Sequence, residues 1–205
     1  MIPEYFLEST LARVISHHSE NPTIPIFRFL EIGTASGLTT NNVVNLLKKK
    51  RPSNNFEVYA CDPFLSYWEK NRDEEKTLRS FLERNRESIE KNLVFFERKT
   101  SEEYLNYLRQ EKGPDFFDVI YIDGAHDAFS VIKDFILADS LLKTSGVIVF
   151  DDYNWISRKE RANIRNGSAR HPALSPAASI DFVKNILTLN YSYVLLNGVP
   201  YFIKF

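Results

Sequence analysis

The sequence predicts an α/β protein: one doubly wound domain with a mainly parallel, seven-stranded sheet and an antiparallel C-terminal hairpin. Three observations carry this. Short apolar runs alternate with amphipathic stretches long enough to be helices, the pattern of right-handed βαβ units. The inner runs are apolar on both faces, as a sheet covered by two helix layers requires. The last two runs are separated by a turn at Asn197-Gly198, a hairpin signal.

Taken in order, residues 3–18 read as a helix packed outside the first strand. Ile26–Ile32 is that strand, ended by Gly33, and Leu38–Lys50 is the helix after it. Phe56–Cys61 is rich in strand formers and ends at Asp62-Pro63. Residues 72–91 are helical, with Leu78, Phe81, Leu82 and Ile89 on one face and Glu75/Arg79 and Glu87/Lys91 as i,i+4 pairs. Leu93–Glu97 is a strand, and Ser101–Glu111 a helix with Ser101 as its N-cap and two acids just after it. Asp118–Ile122 runs into Asp123-Gly124. Ala128, Val131, Ile132, Phe135, Ala138 and Leu142 then form the stripe of a helix over 127–142. Gly146–Phe150 is a strand ending in Asp151-Asp152; Pro176–Leu189 is the last helix, and Tyr191–Leu196 with Pro200–Phe205 make the hairpin. The chain has only seven glycines, all expected at the ends of elements.

The 205 residues suit one domain with a core of its own, with no linker or repeat. Residues 1–25 form an N-terminal helical segment, and 63–91 and 153–175 are longer than plain crossovers, which makes them candidate lids. A net charge of −1 excludes a general polyanion binder, so no nucleic-acid partner is expected. The single cysteine, Cys61, excludes a disulfide scaffold and a multi-cysteine zinc motif. No apolar run approaches a membrane span and MIPEYFLEST does not read as a secretory leader, so a cytoplasmic domain without a membrane partner is expected.

In an open α/β sheet, ligands bind beyond the carboxyl ends of the strands, so the polar residues there carry the chemistry. Gly33-Thr34-Ala35-Ser36-Gly37 is a glycine turn from strand to helix, through which a ligand can approach backbone and helix N-terminus. Its G-x-x-x-G spacing is neither a dinucleotide fingerprint nor a Walker loop, and a plain tight turn would also explain it. Asp62, at the next strand end, is placed to accept both hydroxyls of a ribose, or else starts an Asp-Pro turn. Asp123, Asp151 and Asp152 would repel one another at one locus unless a cation met them. Oxygen ligands without cysteine favour Mg²⁺, with Mn²⁺ or Ca²⁺ as alternatives, over zinc; a helix cap is the competing role for the adjacent pair. His126 is either a base for a substrate proton or a residue near the N-cap of the 127–142 helix. Phe64, Tyr67 and Trp68 beside Asp62 wall a pocket or fill the core. The stretch 153–171, with Arg158, Lys159, Arg161, Arg165 and Arg170 against Glu160, either grips an anionic substrate group or is a solvated face. His17, His18 and His171 fall outside these motifs.

FLEIGTASGLTT, VYACDPF, FFDVIYIDGAHDAF and GVIVFDDYNW, in this order, resemble the class I S-adenosylmethionine-dependent methyltransferases over residues 26–152. The resemblance is closest to the metal-dependent small-molecule O-methyltransferases of the catechol and macrocin types. It implies a Rossmann-like methyltransferase fold with a reversed last strand. Glu31 and the loop with Gly33, Thr34 and Gly37 would cradle the methionine part of S-adenosylmethionine, Thr39 would touch the same moiety, Asp62 would bind the ribose, and Ser101 would lie near the adenine. Asp123 would border the cofactor and ligate the divalent metal together with Asp151 and Asp152. His126 stands where catechol-type members carry a lysine base and macrocin-type members a histidine. The acceptor would be a small-molecule hydroxyl, and a homodimer is compatible with the family's habits. The competing functions are a metal-independent methyltransferase, an inactive cofactor-binding module, an NAD-dependent dehydrogenase and a metal oxygenase. The absence of the third-glycine pattern and the C-terminal hairpin weigh against the dehydrogenase, and the oxygenase needs a second motif histidine.

Overall fold

The computed structural model describes residues 4–65, 73–153, 176–186, 190–196 and 198–205. Seven strands form one sheet in the order β3-β2-β1-β4-β5-β7-β6. They are β1 (Phe27–Ile32), β2 (Phe56–Cys61), β3 (Val94–Glu97), β4 (Phe117–Ile122), β5 (Leu142–Phe150), β6 (Tyr191–Leu196) and β7 (Val199–Lys204). The five strands β1 to β5 pair in parallel, while β7 lies antiparallel to both β5 and β6. The helices are α1 (Glu4–Leu7), α2 (Thr10–Ser19), α3 (Leu38–Lys50), α4 (Glu74–Glu90), α5 (Ser101–Lys112), α6 (Ala128–Asp139) and α7 (Pro176–Ile186). This is the doubly wound Rossmann-like fold that the sequence predicts. Among the described residues, no helix is long and apolar enough to cross a membrane.

Period-two alternation in the inner strands assigns each side chain to one of two cores. Leu30, Ile32, Ile120, Ile122, Ile148 and Phe150 pack with α5, α6 and α7. Phe27, Phe29, Val119, Val147 and Val149 face the other way, toward α1, α2 and α3. A third, smaller cluster joins Ala60 of β2 to Phe64 and to Phe81 of α4. The sheet order reverses direction between β1 and β4, so the crevice at their carboxyl ends is the topological switch point.

Several elements differ in detail from expectation. The 3–18 segment is two helices, α2 starting anew at Ser9, whose hydroxyl accepts from Ala12 N. On α4, Leu82 is exposed, and the buried stripe runs through Phe81 and the polar residues Asn85 and Ser88. Glu87 pairs with Lys91 as expected, but Glu75 pairs with Arg98 rather than Arg79. The helix expected to reach 142 stops at Asp139, because Leu142 is taken into β5 opposite Phe117. Gly146 lies inside β5 rather than at its end. The register jumps between the pairs Phe117–Leu142 and Val119–Val147, and Gly146 sits in the resulting bulge with a Cβ position only 2.8 Å from the Lys143 carbonyl. Tyr67, Trp68, His171, Asn197 and the basic residues of 154–171 lie outside the described residues, as does the 187–189 end of the expected last helix.

At the amino-terminal side, one side chain ties the N-terminal segment to the sheet. Arg51, 9% exposed, donates from Nε to Ser19 O at 2.8 Å, from one terminal nitrogen to Asn55 O at 2.8 Å, and from the other to Ile24 O at 2.6 Å. Removing it leaves the carbonyl of buried Ser19 without its donor as well as deleting charge-assisted bonds. Arg51→Ala should therefore cost about 2–4 kcal/mol in urea unfolding, with little recovery in Arg51→Lys, whose ammonium lacks the planar fork. Equal midpoints for Arg51→Ala and wild type would remove this role.

Candidate active site at the strand ends

Beyond the regular pairing, the ladder continues by one more bond on each inner strand. Asp62 N donates to Glu97 O, Gly33 N to Cys61 O, Asp123 N to Ile32 O and Asp151 N to Ile122 O. These bonds set Asp62, Gly33, Asp123 and Asp151 side by side across β2, β1, β4 and β5. Parallel pairing thus brings together residues that are far apart in sequence.

The turn after β1 is built by glycine and by Asp62. Gly33 has φ +87°, and a Cβ there would lie 2.2 Å from the Asp123 carbonyl oxygen. Gly37 has φ +74°, with a Cβ position 2.4 Å from Asn85 Nδ2 and 2.6 Å from the Phe81 ring. Thr34 N and Ala35 N both donate to Asp62 Oδ2, at 3.1 and 2.9 Å, and Phe64 N donates to Oδ1 at 2.8 Å. A carboxylate offers about four lone-pair sites, so roughly one is left for a ligand hydroxyl. The sequence reading places both ribose hydroxyls on this carboxylate; in the structure its two oxygens meet three backbone N–H groups. Phe64 packs in the core against Phe96, ring centroids 5.9 Å apart, which settles its role as filling rather than walling.

Two buried polar atoms at this turn have no hydrogen-bond partner among the described residues: Thr34 Oγ1 and Asn85 Oδ1. Asn85 spends its amide nitrogen on Phe81 O at 3.0 Å and Gly37 O at 3.3 Å. An acceptor left without a donor in the interior costs free energy, and its place beside a glycine turn fits a ligand-binding cradle. Glu31, 1% exposed, accepts from Thr40 Oγ1 at 2.5 Å. Burial pushes its carboxyl up to about 8, helped by the Asp62 charge and opposed by the Thr40 bond. The buried bond is made by Thr40, whereas sequence reasoning singled out its neighbour Thr39. Thr40 follows Gly37 by three residues in the first turn of α3, on the face that meets β1.

Across the switch point stand the other acids. Burial holds the Asp123 carboxyl well above the usual range, and Asp151, Glu31 and Asp152 add repulsion. Asp151 Oδ2 accepts from the Tyr121 hydroxyl at 2.5 Å, and His126 Nε2 lies 3.5 Å from Asp152 Oδ2. Asp151 thus meets β4 and Asp152 the loop after it, while the segment that either could cap lies outside the described residues. Among the described residues, no group of three or more His, Cys, Asp or Glu is placed to hold a metal ion. The donor set nonetheless has the chemistry a hard dication takes: three carboxylates, oxygen only, two of which, Asp123 and Asp152, are pushed up by burial and by the charge of Asp151.

Ser101 does not cap α5. Thr100 does, accepting from Glu103 N in a capping box, while the Ser101 hydroxyl donates to Asp134 Oδ1 at 2.5 Å. Asn85, Tyr121 and Asp134 were missed by sequence reasoning. The available signal was a polar residue at an apolar position of a stripe: Asn85 between Phe81 and Ile89, and Asp134 between Val131 and Ala138.

The chain matches the methyltransferase domain family over residues 30–153. No curated protein matches it significantly by sequence. Among solved structures it is similar to a Staphylococcus aureus protein assigned as a caffeoyl-CoA O-methyltransferase, with 18% identity and TM-score 0.66 over 100% of this chain and 85% of that one. It is also similar to a Bacillus cereus O-methyltransferase in complex with S-adenosylhomocysteine, at 15% identity and TM-score 0.63 over 99% and 84% of the two chains. A third is TomG of Streptomyces achromogenes, an O-methyltransferase of tomaymycin synthesis in complex with S-adenosylmethionine, at 16% identity and TM-score 0.61 over 97% and 82%.

The Glu31 environment makes a pH prediction. Its folded value near 8 lies above the ordinary 4.5, so between these the unfolded chain has lost a proton that the folded chain keeps. Stability contributed by this residue therefore falls as pH rises through that window. Glu31→Gln has no proton to lose. The stability difference between variant and wild type should move in the variant's favour from pH 5 to pH 8, by on the order of a few kcal/mol. A difference that stays flat would show Glu31 ionised in the folded protein.

Proposed function

The chain belongs to the methyltransferase domain family, and we propose on that premise that it transfers the methyl group of S-adenosylmethionine to a hydroxyl of a small-molecule acceptor. The observation that carries the cofactor reading is the glycine turn at the switch point, with the unpartnered Thr34 and Asn85 oxygens beside it. The B. cereus and S. achromogenes neighbours bind S-adenosylhomocysteine and S-adenosylmethionine, and both are O-methyltransferases, which supports the same class here.

In this reading the Gly33–Gly37 turn, with Thr34 and Glu31, takes the amino-acid tail, Asp62 takes a ribose hydroxyl, and Ser101 meets the base. Thr39 and Asp123 border the ligand. When bound, the cofactor supplies an electrophilic methyl on a positively charged sulfur. Burial holds Glu31 and Asp123 toward their neutral forms, and a cationic ligand beside them would favour the ionised ones. His126 is the proton acceptor. The proton of the acceptor hydroxyl would pass to the imidazole, and Asp152, 3.5 Å from Nε2, would stabilise the cation so formed. Asp123, Asp151 and Asp152 are the residues that would hold a divalent cation, Mg²⁺ by donor type, whose chemistry is to lower the pKa of a bound hydroxyl.

Two experiments test this. In calorimetric titration, S-adenosylhomocysteine should bind wild type and NAD should not, with Asp62→Ala about 10–100-fold weaker from loss of a charge-assisted bond. Binding of NAD alone would replace the cofactor assignment.

Single-turnover methyl transfer then probes the proton and the cation. His126→Ala should slow turnover by about 10²–10⁴-fold with cofactor affinity kept, the usual share of a general base. Chelation should stop transfer while S-adenosylhomocysteine still binds, and Mg²⁺ should restore it. Full activity in chelator would leave His126 acting without a metal.

A further inference from the structure

We propose that Asp134 is a positioning residue for base recognition: it takes the only proton of the Ser101 hydroxyl, so that Ser101 Oγ meets the cofactor's purine as an acceptor and selects a 6-amino group. This rests on the adenosyl-cofactor reading above.

The crevice at the switch point has two walls. The Gly33–Gly37 turn, Thr40 and Asn85 line the side of α3 and α4, whereas Ser101 and Asp134 belong to α5 and α6 on the opposite face of the sheet. Asp134 is 1% exposed, and its Oδ2 lies 3.6 Å from where a Cβ on Gly124 would stand, just past the end of β4. Ser101, half-buried, begins α5 just beyond the end of β3. The pair therefore bridges the loops that follow β3 and β4. With the tail at β1 and the ribose at β2, the base of an adenosyl group reaches this wall.

Neither residue is needed to end a helix. Thr100 already caps α5 and Asp127 caps α6, each accepting a backbone N–H. A carboxylate sunk into the α6 core face needs another reason, since its burial is costly unless something uses it. Burial pushes Asp134 up to about 6; the Ser101 bond and Lys133 oppose this, while Asp127 and Glu102 add to it. At pH 8 it is ionised and can only accept. The hydroxyl has one proton, and the 2.5 Å bond to Oδ1 uses it. What remains on Ser101 Oγ is lone pairs, which an exocyclic amino group satisfies and a 6-oxo group does not.

The test is calorimetric titration at pH 8 with S-adenosylhomocysteine and with S-inosylhomocysteine, its 6-oxo counterpart, on wild type, Ser101→Ala and Asp134→Asn. Wild type should prefer the adenosyl compound by about tenfold or more, the scale of one unmatched buried hydrogen bond. Ser101→Ala should bring the two affinities close to parity, chiefly by weakening the adenosyl compound. Asp134→Asn should do the same, because its amide can donate to Ser101 Oγ and leave the hydroxyl proton for the ligand. Ser101→Ala decides the matter should Asp134→Asn not fold. Tight binding of S-adenosylhomocysteine with the same preference in wild type and Ser101→Ala would overturn this assignment and leave the cofactor reading intact. No binding of either compound to wild type would remove the cofactor reading itself.

Discussion

The strand-end arrangement depends on a missing side chain at Gly33. With a Cβ position 2.2 Å from the Asp123 carbonyl, no other residue lets β1 and β4 stay this close beyond their last paired residues. That approach keeps Asp62, Gly33, Asp123 and Asp151 level across four strands. It also turns the chain toward α3, so that Thr34 N and Ala35 N point at the Asp62 carboxylate. Gly37 serves the other end of the same turn, where Phe81 and Asn85 of α4 leave no space. The helix after Asp62 thus acts as the floor of the turn, which gives part of the long 63–91 crossover a structural purpose.

Electrostatics gives the site its bias. Glu31 is sealed under the turn with Thr40 as its hydrogen-bond donor, and Asp123 is raised by burial and by three other acids. Such groups subtract from stability, since neutral apolar residues would pack there at lower cost. A cationic ligand or a dication reverses that balance, because it favours the ionised forms that burial opposes. Tyr121 and His126 perform part of this task within the chain, through Asp151 and Asp152.

The fold was legible because its signals are periodic and local. The β2, α3 and β6 boundaries coincide with expectation, and other described boundaries shift by a few residues, as when tertiary pairing takes Leu142 from the helix pattern into β5. The place of Asp62, Gly33, Asp123 and Asp151 at strand ends was legible for the same reason: topology tells in advance where a residue after an apolar run will stand. Less legible were partners chosen by helix packing. Ser101 has the composition of a cap, yet Thr100 holds the cap, and only the approach of α6 reveals the bond to Asp134. Thr39 and Thr40 are equivalent by composition, and the rotation of α3 decides which of them meets Glu31. Asn85 and Asp134 break apolar stripes, and a polar residue at a core position is the one trace such partners leave in a sequence.

Asp62 joins these levels. Its two oxygens already accept three backbone N–H groups, two from the turn after β1 and one from the start of the next crossover. The residue proposed to meet a ribose hydroxyl therefore also shapes the loop proposed to meet the amino-acid tail. A fourth donor from the ligand would complete its acceptor capacity without displacing the other three. Ligand binding and loop order are then one equilibrium: a fixed loop presents the carboxylate already oriented, and a bound hydroxyl adds to the bonds that fix it. A neutral side chain at this position weakens both together. In the proposed reading the contribution of Asp62 to affinity would therefore exceed that of one hydrogen bond counted alone, even though roughly one lone-pair site is left for the ligand.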